Sequence, residues 1–347
     1  MSTSLESLLS VVRGSSRVLI LPHNNPDPDA IASSVALDYL LEQQLGVTTN
    51  IAYKGIIGRS ENRALVRYLQ HPLKKFSKAS LRGNPLVALI DTQPGAGNNA
   101  LDPKTPVHVV FDHHPHPPAA NAQAALFSDV RPHLGATATI LTEYLQATGA
   151  PLPTVIATAL FYGIKTDTLG LLRGATEADV EAYLYLQPYV ETAALIDIEH
   201  AQVPLAYFRQ LDITIQSARV YHDVVIASIG PLAYPDLVGE MADTLLRLEG
   251  MRWSICMGQY QDTLLLSVRT HDRLRDAGFL VRSVVGSDGT AGGHGMFAGG
   301  QIVLGNRDAP HLSRELTQRM LKYLAISPYM SGTPIVPDPA VLQTLEI

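Results

Sequence analysis

The chain has 347 residues, of which 46% are hydrophobic and 17% are charged, and its formal net charge is −6. This length and composition predict a folded protein with two domains and exclude a disordered one. The one cysteine, Cys256, excludes an intramolecular disulfide framework, and no apolar run approaches the length of a membrane span. The N-terminus lacks a signal-peptide pattern, so we expect a soluble, cytoplasmic protein.

The charge distribution argues against long nucleic acid as a partner. Proteins that bind long duplexes need a surplus of cations to neutralise phosphates. Residues 215–330 hold 11 Lys/Arg and 11 Asp/Glu, and the rest of the chain is acidic. We therefore expect neither long duplex nucleic acid nor a membrane as a partner, whereas a small anionic substrate is compatible with the charge. The oligomeric state stays open, and a homodimer is one alternative.

Strand and helix patterns alternate along the first half of the chain. Apolar runs predict strands, and segments with helical periodicity predict helices. The predicted strands are 17–21, 50–53, 86–90 and 107–111, and the predicted helices are 5–12, 30–44, 60–70, 135–148, 154–165 and 176–189. This alternation is typical of an α/β fold with a mostly parallel sheet and helices on both faces.

The periodicity changes near residue 217. Residues 219–229 and 253–269 alternate like antiparallel strands, with helices predicted at 235–248 and 312–324 and a strand at 301–304. The glycine-rich run 286–300 is predicted as a loop. We therefore expect a smaller α/β C-terminal domain with a mixed or antiparallel sheet. The predicted domains are 1–190, a helical connector 191–216, a second domain 217–330 and a tail 331–347.

Polar side chains stand where three predicted strands and one helix end. In parallel α/β sheets, ligands bind beyond the carboxyl ends of the strands, so we expect these side chains to converge. They comprise five carboxylates and three imidazoles: His23, Asp27, Asp29, Asp91, Asp112, His113, His114 and Asp167.

Five carboxylates in one place would repel each other unless cations lie between them. Mixed Asp/His ligation suits manganese, or zinc, iron or cobalt, better than calcium or magnesium. One metal ion needs only three or four ligands, so this number of side chains predicts two ions. A pair of ions roughly 3.5–4 Å apart is suited to attack on phosphorus by a metal-activated water.

These residues resemble the ordered motifs of a known family. The segment 23–30, Asp91, the run 112–114 and the segment 166–168 look like the four motifs of DHH phosphoesterases, and Gly292-Gly293-His294 looks like the signature of the DHH-associated C-terminal domain. The resemblance covers about residues 15–305. Within the family it points to the oligoribonuclease and pAp-phosphatase group, whose members are often described as exopolyphosphatase-related.

The resemblance implies a role for each residue. His23 and Asp27 would ligate one metal ion, Asp29, His113 and Asp167 would ligate a second, and Asp91 would bridge both. The catalytic pair would be His114, which faces the substrate, and Asp112, which orients its neighbours. A second domain that closes over the cleft would bind the substrate through His294, Gly292 and Gly293, with Arg269 as a further anchor.

The resemblance also implies a reaction. We expect a two-metal phosphoesterase, most readily with manganese, that hydrolyses short oligoribonucleotides (nanoRNA, as an exonuclease), linear dinucleotides or pAp. The open alternatives are an exopolyphosphatase, a cyclic-dinucleotide phosphodiesterase, a metal-dependent amidohydrolase and a non-catalytic nucleotide-binding regulator. One departure from the family pattern is Ala32-Ser33, where the family often has Gly-Ser.

Overall fold

The computed structural model describes residues 2–115, 125–272 and 274–337. The chain divides into two compact units, Met1–Gln202 and Val203–Ile347. The division lies between two helices, Thr192–Glu199 and Leu205–Ser217.

The first unit alternates strands with helices. Its strands are β1 (Arg17–Pro22), β2 (Thr48–Tyr53), β3 (Leu73–Lys75), β4 (Leu86–Ile90), β5 (Val109–Asp112) and β6 (Phe127–Val130). Its helices are α1 (Ser2–Val12), α2 (Pro28–Leu45), α3 (Ser60–Tyr68), α4 (Thr137–Thr148), α5 (Thr154–Asp167), α6 (Glu177–Leu186) and α7 (Thr192–Glu199), with short 3-10 helices at Lys78–Leu81 and Gln187–Tyr189.

Within the described residues, the strands of the first unit form one six-stranded sheet in the order β3-β2-β1-β4-β5-β6. Every neighbouring pair is parallel, which confirms the predicted sheet. Strands β2 and β3 lie on one side of β1, whereas β4, β5 and β6 lie on the other. The strand order therefore changes direction between β1 and β4. Ligands bind at such a switch point in open α/β sheets, so the segments that follow β1 and β4 are placed to form a site.

The apolar runs form strands because they are buried on both faces. All five residues of β4 are buried, and so are all residues of β1 except Arg17. Helix α2 begins at Pro28 directly after its N-cap Asp27 and ends at Gly46, whose φ of 63° is the left-handed conformation that glycine adopts readily. The glycine that marks the end of the helix explains why the predicted helix, 30–44, ends close to the observed one.

The second unit contains a mixed sheet. Its strands are β7 (Arg219–Tyr221), β8 (Val224–Pro231), β9 (Trp253–Tyr260), β10 (Thr263–Thr270), β11 (Thr290–His294), β12 (Phe297–Val303) and β13 (Thr333–Pro334). Its helices are α8 (Leu205–Ser217), α9 (Leu237–Leu245), α10 (Ala277–Val285) and α11 (Ala309–Tyr323), with a 3-10 helix at Gly286–Asp288. In the described part, the sheet order is β11-β12-β10-β9-β8-β7-β13. Strands β8 and β9 are parallel and the other pairs are antiparallel, as the predicted fold class allows.

The glycine-rich run differs from its prediction as a loop. It forms the antiparallel pair β11 and β12, in which Gly292 lies opposite Gly299 and His294 opposite Phe297. Gly293 has a φ of +118°, and a Cβ atom there would lie 2.4 Å from Phe297 O. Only glycine fits this position. The close approach of the two backbones therefore explains why this strand is rich in glycine, a residue with low β propensity.

Thr333 and Pro334, in the predicted tail, pair with β7, and residues 338–347 of that tail lie outside the described residues. No helix in the described ranges is long and apolar enough to cross a membrane.

Candidate metal centre

The first group of predicted ligands follows β1. His23 comes directly after the strand, and Asp27 is the N-cap of α2, where its Oδ1 accepts a hydrogen bond from Ala30 N at 3.0 Å. Asp29 lies in the first turn of the same helix and is fully buried. The strand end and the helix start therefore aim three polar side chains at one edge of the sheet.

The second group follows the next strands. Asp91 comes directly after β4 and has a φ of 57°, although its backbone N–H still donates to Phe111 O at 2.8 Å. A non-glycine residue in this conformation is strained, and such strain concentrates at functional sites. Asp112 is the last residue of β5, with His113 and His114 directly after it. Asp167 is the last residue of α5.

The structure brings these side chains together. His23 Nε2 lies 3.7 Å from Asp27 Oδ1 and 3.4 Å from Asp91 Oδ2. His113 Nε2 lies 3.5 Å from Asp91 Oδ1, 3.4 Å from Asp167 Oδ2 and 4.0 Å from Asp29 Oδ2. These separations are too long for good hydrogen bonds but suit ligand atoms that surround a common ion.

Among the described residues, three overlapping triads have ligand atoms within 4.8 Å of one another. They are His23–Asp27–Asp91, Asp29–His113–Asp167 and Asp91–His113–His114. Asp91 belongs to two triads, one of which contains His23 and the other His113. This arrangement has the composition of two adjacent cation sites joined by a shared carboxylate.

Backbone carbonyl groups orient the two imidazoles. His113 Nδ1 lies 3.1 Å from Leu134 O, and His23 Nδ1 lies 2.9 Å from Asn24 O. A carbonyl oxygen only accepts, so each Nδ1 donates a hydrogen bond and each Nε2 is the nitrogen that faces the carboxylates. Outer contacts of this kind fix the tautomer of metal-bound histidines.

Asp29 is held by the start of α4. Its Oδ2 accepts from Thr137 N and its Oδ1 from Ala138 N, both at 2.7 Å. Helix α4 has no side-chain cap of its own, so Asp29 satisfies N–H groups that would otherwise lack a partner. Gly163 of α5 permits this approach, because a Cβ atom there would lie 3.2 Å from Asp29 Cα.

Two supporting residues were missed by sequence reasoning. Thr137 Oγ1 donates to Asp91 Oδ1 at 2.8 Å, and Gln93 Nε2 donates to Asp112 Oδ2 at 2.7 Å. Both residues are buried. Thr137 could have been noticed because a helix starts there, directly after Gly135-Ala136. Gln93 could have been noticed as a further polar residue after Asp91.

The carboxylates and imidazoles perturb each other's pKa values. Burial, followed by repulsion from Asp91, raises the pKa of Asp29 well above its usual range. Burial and then Asp27 raise the pKa of Asp167 to about 6. Burial lowers the pKa of His113, but its contacts with Asp167 and Asp91 outweigh this and raise it to about 10. The cluster therefore attracts positive charge, whether as protons or as metal ions.

Two buried atoms supply a test of whether these residues fit metal ions. Asp91 Oδ2 and His113 Nε2 are buried and make no hydrogen bond to any described atom. Leaving such atoms without a partner is costly, and a divalent cation between them would remove that cost. The donor set of imidazole and carboxylate is that of a divalent transition-metal site. The residues therefore fit divalent metal ions.

The predicted substrate-binding residues lie in the second unit. Gly292, Gly293 and His294 belong to β11, and the His294 side chain lies outside what the structure describes. The Arg269 guanidinium in β10 donates through Nε to Asp243 Oδ1 at 2.5 Å and through Nη1 to Ser267 Oγ at 2.6 Å.

Comparison with known proteins identifies the family. Residues 17–164 match the model described as "DHH family, N-terminal domain". This part of the chain is a DHH family domain. The match contains His23, Asp29, Asp91 and the Asp112-His113-His114 run, and it confirms the family that the motifs predicted.

Two relatives align with the chain, and the name of one of them states an activity. The chain is 35% identical over 290 residues to an uncharacterized protein of Methanocaldococcus jannaschii, covering 83% of this chain and 58% of the relative. It is 31% identical over 180 residues to a Streptococcus pyogenes protein named "Probable manganese-dependent inorganic pyrophosphatase", covering 51% of this chain and 56% of the relative. The chain thus spans under two thirds of the length of these relatives.

A solved structure shares the fold across most of the chain. An exopolyphosphatase-related protein from Bacteroides fragilis superposes with a TM-score of 0.68 at 15% identity, and the alignment covers 93% of this chain and 97% of that one. At this identity the likeness concerns the fold alone. It extends beyond residue 164 and therefore includes the mixed sheet of the second unit.

Proposed function

We propose that the chain is a metal-dependent phosphoester hydrolase that binds two divalent ions, with manganese preferred. The observation that carries this proposal is the pair of overlapping triads that share Asp91, together with the unpartnered Asp91 Oδ2 and His113 Nε2. One ion would be held by His23, Asp27 and Asp91, and the other by Asp29, Asp91, His113 and Asp167. The DHH domain and a manganese-dependent relative support this assignment.

The chemistry follows from the arrangement of the side chains. When bound, the ions would act as Lewis acids that activate a water and neutralise charge on the phosphoryl group. Asp91 would fix the separation of the two sites, because each of its oxygens faces a different histidine. His114, whose side chain is 44% exposed, is accessible to a substrate that enters this edge of the sheet. It would contact the phosphoryl group or the leaving oxygen.

The favoured substrates are short nucleotides: oligoribonucleotides of a few residues, linear dinucleotides or pAp. The lack of net charge in residues 215–330 supports short substrates, because long strands require a surplus of cations. His294, Gly292, Gly293 and Arg269 remain candidate substrate contacts. A polyphosphate or cyclic-dinucleotide substrate, and a non-catalytic regulatory role, are the alternatives.

Inorganic pyrophosphate is a second candidate substrate. The specific observation in its favour is the 31% identity over 180 residues with a protein named as a manganese-dependent inorganic pyrophosphatase. Both reactions would use the same metal centre, since both attack phosphorus with water. The distinction between them would lie in the groups that contact the rest of the substrate.

A substrate panel with Mn²⁺ tests the proposal. The arms are labelled di- to pentanucleotides, pAp, linear and cyclic dinucleotides, polyphosphate and pyrophosphate, each with wild-type protein and with Asp91→Ala. We expect hydrolysis of short nucleotides that Asp91→Ala abolishes. Turnover of pyrophosphate alone would favour the second candidate, and absence of turnover in every arm would contradict the proposed activity.

A further inference from the structure

Gln93 is a buried residue in the segment that follows β4, with 5% of its surface exposed. Its side-chain nitrogen donates to Asp112 Oδ2 at 2.7 Å and to His114 O at 3.0 Å. The side-chain amide of Gln93 therefore contacts both the carboxylate of Asp112 and the backbone carbonyl of His114. The backbone of Gln93 is itself held, because Asn99 Nδ2 donates to Gln93 O at 3.2 Å.

The other oxygen of Asp112 is also committed. Asp112 Oδ1 accepts from the ring nitrogen His114 Nδ1 at 2.8 Å and from the backbone N–H of His114 at 3.1 Å. Hydrogen bonds to both oxygens prevent rotation of the carboxylate. The same bonds fix the ring of His114 with Nδ1 towards Asp112, which leaves Nε2 as the nitrogen for a ligand.

We propose that Gln93 is a positioning residue that orients His114 through Asp112. The proposal rests on the proposed function of this centre, because it concerns how His114 meets a phosphoester. An amide suits the role because it donates to Asp112 without adding another negative charge to a cluster that already holds five carboxylates. The contact itself follows from the fold, since Gln93 reaches Asp112 from the end of a neighbouring strand.

The first test is Gln93→Met, which keeps the length of the side chain and removes its donors. We expect kcat/KM to fall by about 10- to 100-fold, the range typical when outer contacts of a metal site are removed. The affinity for Mn²⁺, measured by titration calorimetry, should stay close to that of the wild type. The matched control is Gln43→Met at an exposed position of α2, which should leave kcat/KM unchanged.

A double-mutant cycle separates positioning from a general structural role. His114→Ala and Gln93→Met are measured singly and together. If Gln93 acts through His114, Gln93→Met causes little further loss of kcat/KM in the His114→Ala background. Losses that simply add, or a Gln93→Met variant with wild-type kcat/KM, would overturn the proposal.

A measurement that needs no substrate tests the role of Gln93 independently of the proposed activity. In Mg²⁺-loaded protein with ¹⁵N-labelled histidine, the His114 Nδ1 signal, assigned with His114→Ala, should shift in Gln93→Met and not in Gln43→Met. An unchanged signal would overturn the positioning role whether or not a substrate is found. If Gln93→Met does not fold, Gln93→Asn keeps the amide but shortens it, and it should produce the same shift.

Discussion

Two charged clusters lie at the ends of neighbouring strands, and they differ in how their charges are balanced. After β6, the guanidinium of Arg131 donates to Asp129 at 2.7 and 2.8 Å and to Glu143 at 2.5 Å, while Tyr144 OH donates to Asp129 at 2.8 Å. After β4 and β5, the carboxylates around His113 stand 3.4–4.0 Å from its Nε2, which makes no hydrogen bond to a described atom.

The difference separates a structural network of ion pairs from the proposed metal-binding site. The Arg131 network is complete with the atoms of the chain, because each carboxylate has a donor at hydrogen-bond distance. Among the described residues, the carboxylates of the Asp91 triads pair with histidines alone, so the proposed metal ions would balance their remaining negative charge.

Asp91→Ala should produce the largest effect. The variant removes the carboxylate that joins two triads, so it weakens both proposed ion sites at once. Loss of one electrostatic contact in an active site typically costs about 100- to 1000-fold in kcat, and we expect at least that loss here. The measurement is Mn²⁺-dependent turnover of the best substrate from the panel. Asp197→Ala, at an exposed position of α7, is the control and should retain full activity.

Arg131→Met should affect stability and spare metal binding. It leaves Asp129 and Glu143 without their cation in a partly buried place, so we expect a loss of about 2 to 4 kcal/mol in the free energy of unfolding. Urea unfolding of the metal-free protein measures this loss. A variant with unchanged stability but altered Mn²⁺ binding would show that the two clusters are not separate.

Mn²⁺ should stabilise the first unit. An ion that binds only the folded state adds about 2.7 kcal/mol per site at a concentration 100 times its Kd. For a unit of this size, that corresponds to a rise in Tm of roughly 5 °C or more. A thermal scan with Mn²⁺ and with EDTA measures the rise, which Asp91→Ala should largely abolish. Equal rises in the two proteins would place the binding of Mn²⁺ elsewhere.

Gly163→Ala should produce the smallest effect. The added Cβ would lie 3.2 Å from Asp29 Cα and 3.4 Å from Asp29 Oδ1, which displaces the carboxylate slightly. We expect Mn²⁺ affinity to fall about 3- to 10-fold, or roughly 1 kcal/mol. Alanine also favours the helix by about 1 kcal/mol, so stability should not fall with the affinity. Unchanged affinity would mean that Asp29 tolerates the shift or does not ligate.

The sequence predicted the parts of the fold and site that depend on local patterns. The buried run of β4 and the glycine that follows α2 are local signals, although the predicted start of α2 lies two residues too late. Asp91 and the Asp112–His114 run stand out because each follows or ends an apolar strand. Strands β3 and β6 were missed because they are short edge strands without an apolar run. Helix α10 was missed because its nine residues lie beside the glycine-rich run.

Tertiary contacts account for what was missed at the site. Gln93 and Thr137 act only because neighbouring strands and the start of α4 bring them to Asp112 and Asp91. The Arg131 network likewise depends on α4, which brings Glu143 and Tyr144 to the end of β6. These contacts join residues that are far apart in the chain, so no regular spacing in the sequence predicts them.

The most direct test of the central claim is the number of Mn²⁺ ions that the chain binds. Titration of metal-free protein with Mn²⁺, followed by calorimetry and by the electron paramagnetic resonance signal of free Mn²⁺, measures this number. We expect two ions per chain in the wild type, with spin coupling between them, and weakened binding of both in Asp91→Ala. Binding of no ion, or of one ion that Asp91→Ala leaves unaffected, would contradict it.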